Sequence, residues 1–111
     1  MIKKKDRTID LYKRIGAEAR LFRRLASKLV VDSSKILSAE DSVRLMNISQ
    51  KINTMFLIME DQMYSDHPDL GLDYTDVFRG DLDSKSRSNV DAEVKAIIAN
   101  ILHEFMGGGL H

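Results

Sequence analysis

Few side chains in this sequence have the type and spacing that metal or acid–base chemistry requires. The histidines are His67, His103 and His111, and the chain has no cysteine. His103-Glu104 opens like the His-Glu-x-x-His motif of zinc proteases, but Gly107 occupies the position of the second histidine. The absence of cysteine excludes thiolate metal sites, disulfides and cysteine nucleophiles. The motif therefore fails, and His103 is expected to be an ordinary surface residue.

The other candidate for chemistry is the acidic stretch at 60–83, which holds eight carboxylates against one arginine. Calcium takes six to eight oxygen ligands from a tightly wound loop with a glycine at its sharp turn. Asp81 and Asp83 begin such a pattern, but lysine, serine and arginine then occupy 85–87, where further ligands and the glycine are needed. We therefore predict that the chain is not an enzyme and has no metal site and no cofactor.

Charge is the most informative global feature of the sequence. The formal net charge is zero, but residues 1–37 hold eleven Lys/Arg and four Asp/Glu, a net charge of +7. Residues 38–111 hold six Lys/Arg and thirteen Asp/Glu, a net charge of −7. Either the two halves neutralise each other within one fold, which is the preferred interpretation, or each attracts a charged partner.

A basic stripe on the first predicted helix is the candidate contact for nucleic acid or an acidic partner. The stripe follows a basic segment at 3–5 and comprises Lys13, Arg20, Arg24 and Lys28. Lysine and arginine bind phosphates in a salt-dependent manner. However, only 6% of the residues are aromatic, which disfavours a set of base-stacking platforms. Nucleic-acid binding is therefore the second choice for function.

The elements that carry these residues are predicted from apolar residues that alternate spacings of three and four. The pattern predicts an all-α antiparallel bundle with three main helices, at about 8–31, 39–64 and 89–106. Ser38 is the expected cap of the central helix, and the glycines at 107–109 end the last one. The last helix presents the face Val90, Val94, Ile97, Ile98, Ile101 and Phe105.

The chain is predicted to form one domain over residues 1–111. Residues 1–7 are expected to be a frayed basic arm, and 107–111 a flexible tail. The acidic loop at 65–88 is expected to contain a short fourth helix near 75–79, anchored by Tyr74 and Phe78.

The apolar surface of the central helix is wider than one neighbour can cover. Its main stripe is expected to pack between the other two helices and consists of Leu45, Ile48, Ile52, Met55, Met59 and Met63. The last helix, about 26 Å long, is too short to cover a hairpin of about 36–39 Å. Apolar residues of the acidic loop (Leu72, Tyr74, Phe78) or another chain must cover the rest. Outside the stripe, the predicted partner or oligomer interface is Met46, Leu57, Ile58 and Tyr64.

No segment approaches the ~20 uninterrupted apolar residues of a membrane span, so a cytoplasmic protein without membrane contact is expected. The preferred function is a small non-enzymatic protein–protein interaction or regulatory adaptor. It would dock through helical surfaces and self-associate, with a dimer favoured. Besides nucleic-acid binding, a further alternative is an acidic decoy or immunity-type inhibitor that uses residues 60–83.

Overall fold

A computed structural model describes residues 1–83 and 85–108 of the chain. The fold is all-α: 78% of the described residues are helical and none of them forms a strand, which confirms the predicted class. The α-helices are α1 (Ile9–Ser33), α2 (Ala39–Asp66), α3 (Asp76–Arg79) and α4 (Asn89–His103). Shorter turns are 3-10 helices at Lys4–Asp6 and Leu72–Thr75 and a π-helical turn at Glu104–Gly108. Residues 109–111 of the predicted tail lie outside the described part of the chain.

Hydroxyl side chains define the beginning of each long helix. Thr8, Ser38 and Ser88 accept hydrogen bonds from backbone N–H groups three residues further on, at the starts of α1, α2 and α4. Each bond satisfies one of the N–H groups that a helix start leaves unpaired. The cap predicted at Ser38 is confirmed, and Ser88 caps the last helix. α4 ends at His103, three residues earlier than predicted.

α1 is the centre of the packing, because α2, α3 and α4 all contact it. The buried residues form one cluster of Tyr12, Ala17, Ala19, Phe56, Met63, Val77, Phe78, Val90, Val94, Ile98 and Ile101. This core lies at the open end of the α1–α2 hairpin. No residue from 21 to 55 is buried. We call residues 21–55 the distal hairpin; it extends beyond the core, and its first turns in α1 meet Gly80 and the end of α4.

The acidic loop is held to the core by the short helix α3. Val77 and Phe78 are buried against α1, and Tyr74 is half-buried with the Lys13 ammonium 5.8 Å from its ring centre. The predicted short fourth helix is therefore confirmed, with Phe78 as its main anchor. The loop is shorter than predicted, because α2 continues to Asp66.

Gly16 allows α3 to approach α1 closely. An alanine Cβ at this position would lie 2.5 Å from Val77 Cγ1 and 2.9 Å from the Val77 carbonyl carbon. We expect Gly16→Ala to lower the free energy of unfolding by about 1–3 kcal/mol, because overpacking outweighs the better helix propensity of alanine. Urea denaturation measures this change.

Gly71→Ala is the matched control for that substitution. Its Cβ would have no atom within 4 Å, and the backbone φ of −74° suits any residue. A change within about 0.5 kcal/mol is expected there. If Gly16→Ala instead raised the free energy of unfolding, α3 would not pack on α1 as closely as the structure shows.

Candidate functional site

The distal hairpin carries a continuous apolar groove along one of its sides. Side chains from both helices line this depression of about 140 Å³, namely Phe22, Leu25, Leu29, Leu45, Ile48 and Ile52. We call these six residues the hairpin groove. Ile48 is 55% exposed and Leu25 is 66% exposed. A monomer rarely leaves large side chains of this kind exposed in one contiguous patch unless the patch has a partner.

The groove continues toward the core, because Phe22 also borders two further depressions. One, of about 340 Å³, is lined by Ile15, Phe56 and Met59 together with Ile52. The other, of about 400 Å³, lies between α1 and the C-terminal end of α4 and includes Leu102 and Phe105. Phe22 stacks edge-on against Phe56, with ring centres 6.1 Å apart. The apolar surface therefore runs along the hairpin to the end of α4.

This surface corrects the predicted role of the central stripe. Met63 is buried as predicted, but Ile48 and Met55 are about half exposed. The prediction that the whole stripe packs between the first and last helices is wrong, because α4 packs on α1 and α3 rather than along α2. Phe105, predicted on the face of the last helix, lies in the π-helical turn and is 70% exposed. The difference in predicted helix length was the sequence signal that the last helix would leave part of the hairpin uncovered.

The four residues predicted as an interface differ in their environments. Met46, Leu57 and Ile58 are about half exposed. Tyr64 is half-buried, and its hydroxyl donates a 3.2 Å hydrogen bond to the Gly71 carbonyl. Met46 and Leu57 project about 100–140° away from Ile52 around α2, on the side away from the groove. The structure thus keeps three of the four accessible but does not place Met46 and Leu57 beside the groove.

The acidic loop does not cover the exposed side of α2 that carries Met46 and Leu57, although coverage by the loop was one of the two predicted arrangements. Leu72 is 86% exposed, and Phe78 is buried in the core instead. Leu57 accordingly remains half exposed. Phe78 therefore packs in the core, Leu72 contributes to neither surface, and Leu57 stays uncovered.

The predicted basic stripe is not a continuous exposed surface. Arg20 is only 1% exposed, so its assignment to a contact face is wrong. Lys13 is largely covered and pairs with Glu93. Arg24 and Lys28 are exposed and pair with Asp83 and Asp32, respectively. Only two of the four predicted contact residues therefore remain accessible to a ligand.

Arg20 is buried because its guanidinium joins three parts of the chain. Its Nη1 donates to Asp91 of α4 at 2.8 Å, and its Nε donates to the Val77 carbonyl at 3.2 Å. Its Nη2 donates to the Asp76 carbonyl, which leaves each guanidinium nitrogen with an acceptor. Burial opposes ionisation of Asp91, but hydrogen bonds from the Arg87 N–H and from Arg20 hold the pKa of Asp91 below its usual value.

Ion pairs between the two halves of the chain account for much of the charge split. Among the described residues, five pairs join the segment 1–37 to the rest of the chain, namely Arg7–Asp66, Lys13–Glu93, Arg14–Glu104, Arg20–Asp91 and Arg24–Asp83. This agrees with the prediction that the two halves neutralise each other within one fold. Other carboxylates of the acidic stretch at 60–83 are bonded within the second half, Glu60 to Arg79 and Asp76 to Ser88.

Asp66 closes the base of the fold by binding the N-terminal segment. It accepts two hydrogen bonds from Arg7, at 2.6 and 2.9 Å, one from the Tyr12 hydroxyl and one from Gln62 at 3.0 Å. The Nε2 of the adjacent His67 donates to the Arg7 carbonyl at 2.7 Å. The bonds from Arg7 and Tyr12 hold the pKa of Asp66 well below its usual value. Burial and the Asp66 carboxylate raise the pKa of Tyr12 to about 12.

The lowered pKa of Asp66 predicts an acid-sensitive fold. Because the carboxylate binds a proton more weakly in the folded chain, its stabilising effect is complete above the unfolded pKa of 3.8 and is lost as the pH falls below it. We expect Asp66→Asn to lower the melting temperature at pH 7 and the difference from wild type to shrink below pH 4. Thermal melts from pH 2 to 7 test this, with the exposed Asp69→Asn as control. A constant difference across that range would contradict the assignment.

Neither metal chemistry nor a membrane span is supported by the part of the chain that the structure describes. No three His, Asp or Glu side chains there are placed to hold a metal ion. His67 is hydrogen-bonded in the Asp66 cluster, and His103 is exposed. No helix among these residues is both long and apolar enough to cross a membrane.

Comparison with models of known protein families, with curated protein sequences and with solved structures gave no match to this chain. Evidence about function therefore comes from the hairpin groove and its surroundings.

Proposed function

We propose that the protein is a non-enzymatic interaction module that docks the hairpin groove onto a helical surface of another protein molecule. The observation that carries this proposal is that both long helices extend beyond the core with their apolar sides uncovered. The groove presents side chains at helical spacing from two adjacent helices. Such a surface fits helices laid along it, as in helix-in-groove recognition and helical bundles.

The surroundings of the groove support the same proposal. Two of the four predicted nucleic-acid contacts, Lys13 and Arg20, are engaged within the fold. At least four of the eight carboxylates of the acidic stretch are likewise bonded internally. Charged side chains thus serve mainly to hold this fold together. The hairpin groove, by contrast, is an apolar surface that the fold itself does not cover.

Site-specific photocrosslinking in cells that make the protein tests this function. A photoreactive amino acid at Ile48, in the groove, is expected to give covalent adducts with a defined protein, whether another copy or a different chain. The same amino acid at Leu72 is the control, because that side chain is even more exposed than Ile48 but lies off the distal hairpin. Absence of adducts at Ile48, or equal adducts at both sites, would refute docking through the groove.

A further inference from the structure

We propose that the occupant of the hairpin groove is a second copy of this chain, and that two distal hairpins pack antiparallel as a four-helix bundle with two-fold symmetry. This proposal rests on the docking function above and names its partner. Three features of the chain lead to it: its excess surface, the two-helix layer that it exposes, and the apolar residues at both ends of that layer.

The chain exposes more surface than a compact monomer of its mass. Its accessible surface is 7792 Å². A compact monomer of 12.6 kDa would expose roughly 6,200 Å², so the excess is roughly 1,600 Å². Exposed residues at the N-terminus account for part of it, and the distal hairpin, which has no buried residue, contributes to the rest. A standard interface buries about 800 Å² on each partner, so the excess is large enough for a stable dimer.

The form of the surface suits a copy of itself. α1 and α2 form a two-helix layer whose apolar side needs a second layer across it. An identical hairpin supplies such a layer, and packing the two gives a four-helix bundle with each groove facing the other. Two-fold symmetry then uses the same surface on both copies, so the assembly closes at two chains.

Apolar residues at both ends of the distal hairpin determine the relative direction of the two copies. At the tip, Ile36 is 86% exposed and Val31 is also exposed. At the core end, Leu102 and Phe105 border the largest of the three depressions. Antiparallel packing places each tip over the core end of the other copy and covers both sets. Parallel packing would instead set tip against tip and crowd the two core ends together.

Light scattering on the full-length chain at 10 and 100 µM tests the dimer. The expected mass is twice 12.6 kDa for the wild type and 12.6 kDa for Ile48→Glu, which places a carboxylate in the groove. Leu72→Glu, the same kind of change off the hairpin, is expected to retain the dimer. Since Ile48 and Leu72 are exposed in the single chain, all three proteins should give the same helical circular dichroism spectrum.

Two results would overturn this dimer. One is a wild type that stays monomeric at 100 µM; if Ile48 then crosslinks to a different protein, docking survives and only the second copy is rejected. The other is a dimer that persists in Ile48→Glu but is lost in Leu57→Asp, which would place the interface on the outer side of α2.

Spin labels at the hairpin tip test the antiparallel direction. Because the chain has no cysteine, Ile36→Cys provides a single labelling site on each copy. The α2 part of the distal hairpin is about 26 Å long at 1.5 Å per residue, so antiparallel tips should be at least about 26 Å apart. Electron–electron distance measurement should give one long distance. A label separation below about 20 Å would indicate parallel hairpins and contradict the arrangement.

Discussion

Arg20→Met is expected to lower the free energy of unfolding by about 3–5 kcal/mol, because it leaves the Asp91 carboxylate buried without its guanidinium partner. The two side chains are 0% and 1% exposed and lie 2.8 Å apart. The substitution also removes the donors to the Val77 and Asp76 carbonyls, so α1 loses polar contacts to both α3 and α4. Chemical denaturation followed by circular dichroism measures the change.

Arg24→Met is the matched control, one helical turn further along α1. Arg24 and its partner Asp83 are 58% and 69% exposed. An exposed pair contributes about 0–1 kcal/mol, and the helix propensities of arginine and methionine are similar. Combining Arg20→Met with Asp91→Asn should cost less than the sum of the two single changes, since both remove the same pair. Equal effects of Arg20→Met and Arg24→Met would contradict the buried assignment.

Val94→Asp is expected to cost about 4 kcal/mol or more, which is most of the stability of a small domain. Val94 is 0% exposed and lies at the centre of the α4 face that packs on α1 and α3. An aspartate there would bury a carboxylate for which the surrounding apolar side chains supply no hydrogen bond. We expect the variant to lose its cooperative thermal transition.

Ala96→Asp places the same charge on the exposed side of α4 and should cost about 1 kcal/mol or less. Ile97→Asp should give an intermediate loss. Ile97 belongs to the predicted face of the last helix, but the structure leaves this side chain only partly buried. Equal melting temperatures for Val94→Asp and Ala96→Asp would show that Val94 does not lie on the packed face of α4.

Local signals in the sequence were sufficient to predict the positions of the helices. Hydroxyl residues at the caps and apolar spacing of three and four predict the helices within a few residues. The short helix at 76–79 was also predictable, because Val77 and Phe78 are apolar residues within an otherwise acidic loop. These features depend on neighbouring residues, which the sequence displays directly.

Features that depend on distant partners were not predictable in the same way. Arg20 looks like a surface residue until Asp91, 71 positions away, is placed beside it. Ile48 has the spacing of a core residue, but whether a stripe is covered depends on where the last helix packs. Only the length mismatch between the helices indicated that part of the hairpin would stay open. The predicted function and partners remain proposals for the same reason.

Solution X-ray scattering of the Ile48→Glu variant, designed to be monomeric, tests the central claim that the chain leaves its own distal hairpin uncovered. The Cα radius of gyration is 15.8 Å, and the molecule measures 47 × 33 × 31 Å. A compact 111-residue domain would have a radius of gyration of about 13 Å. After allowance for the hydration layer, a value near 16 Å and an elongated distance distribution are expected. A value near 13 Å would show that α4 or the loop folds over the groove, and would contradict the account.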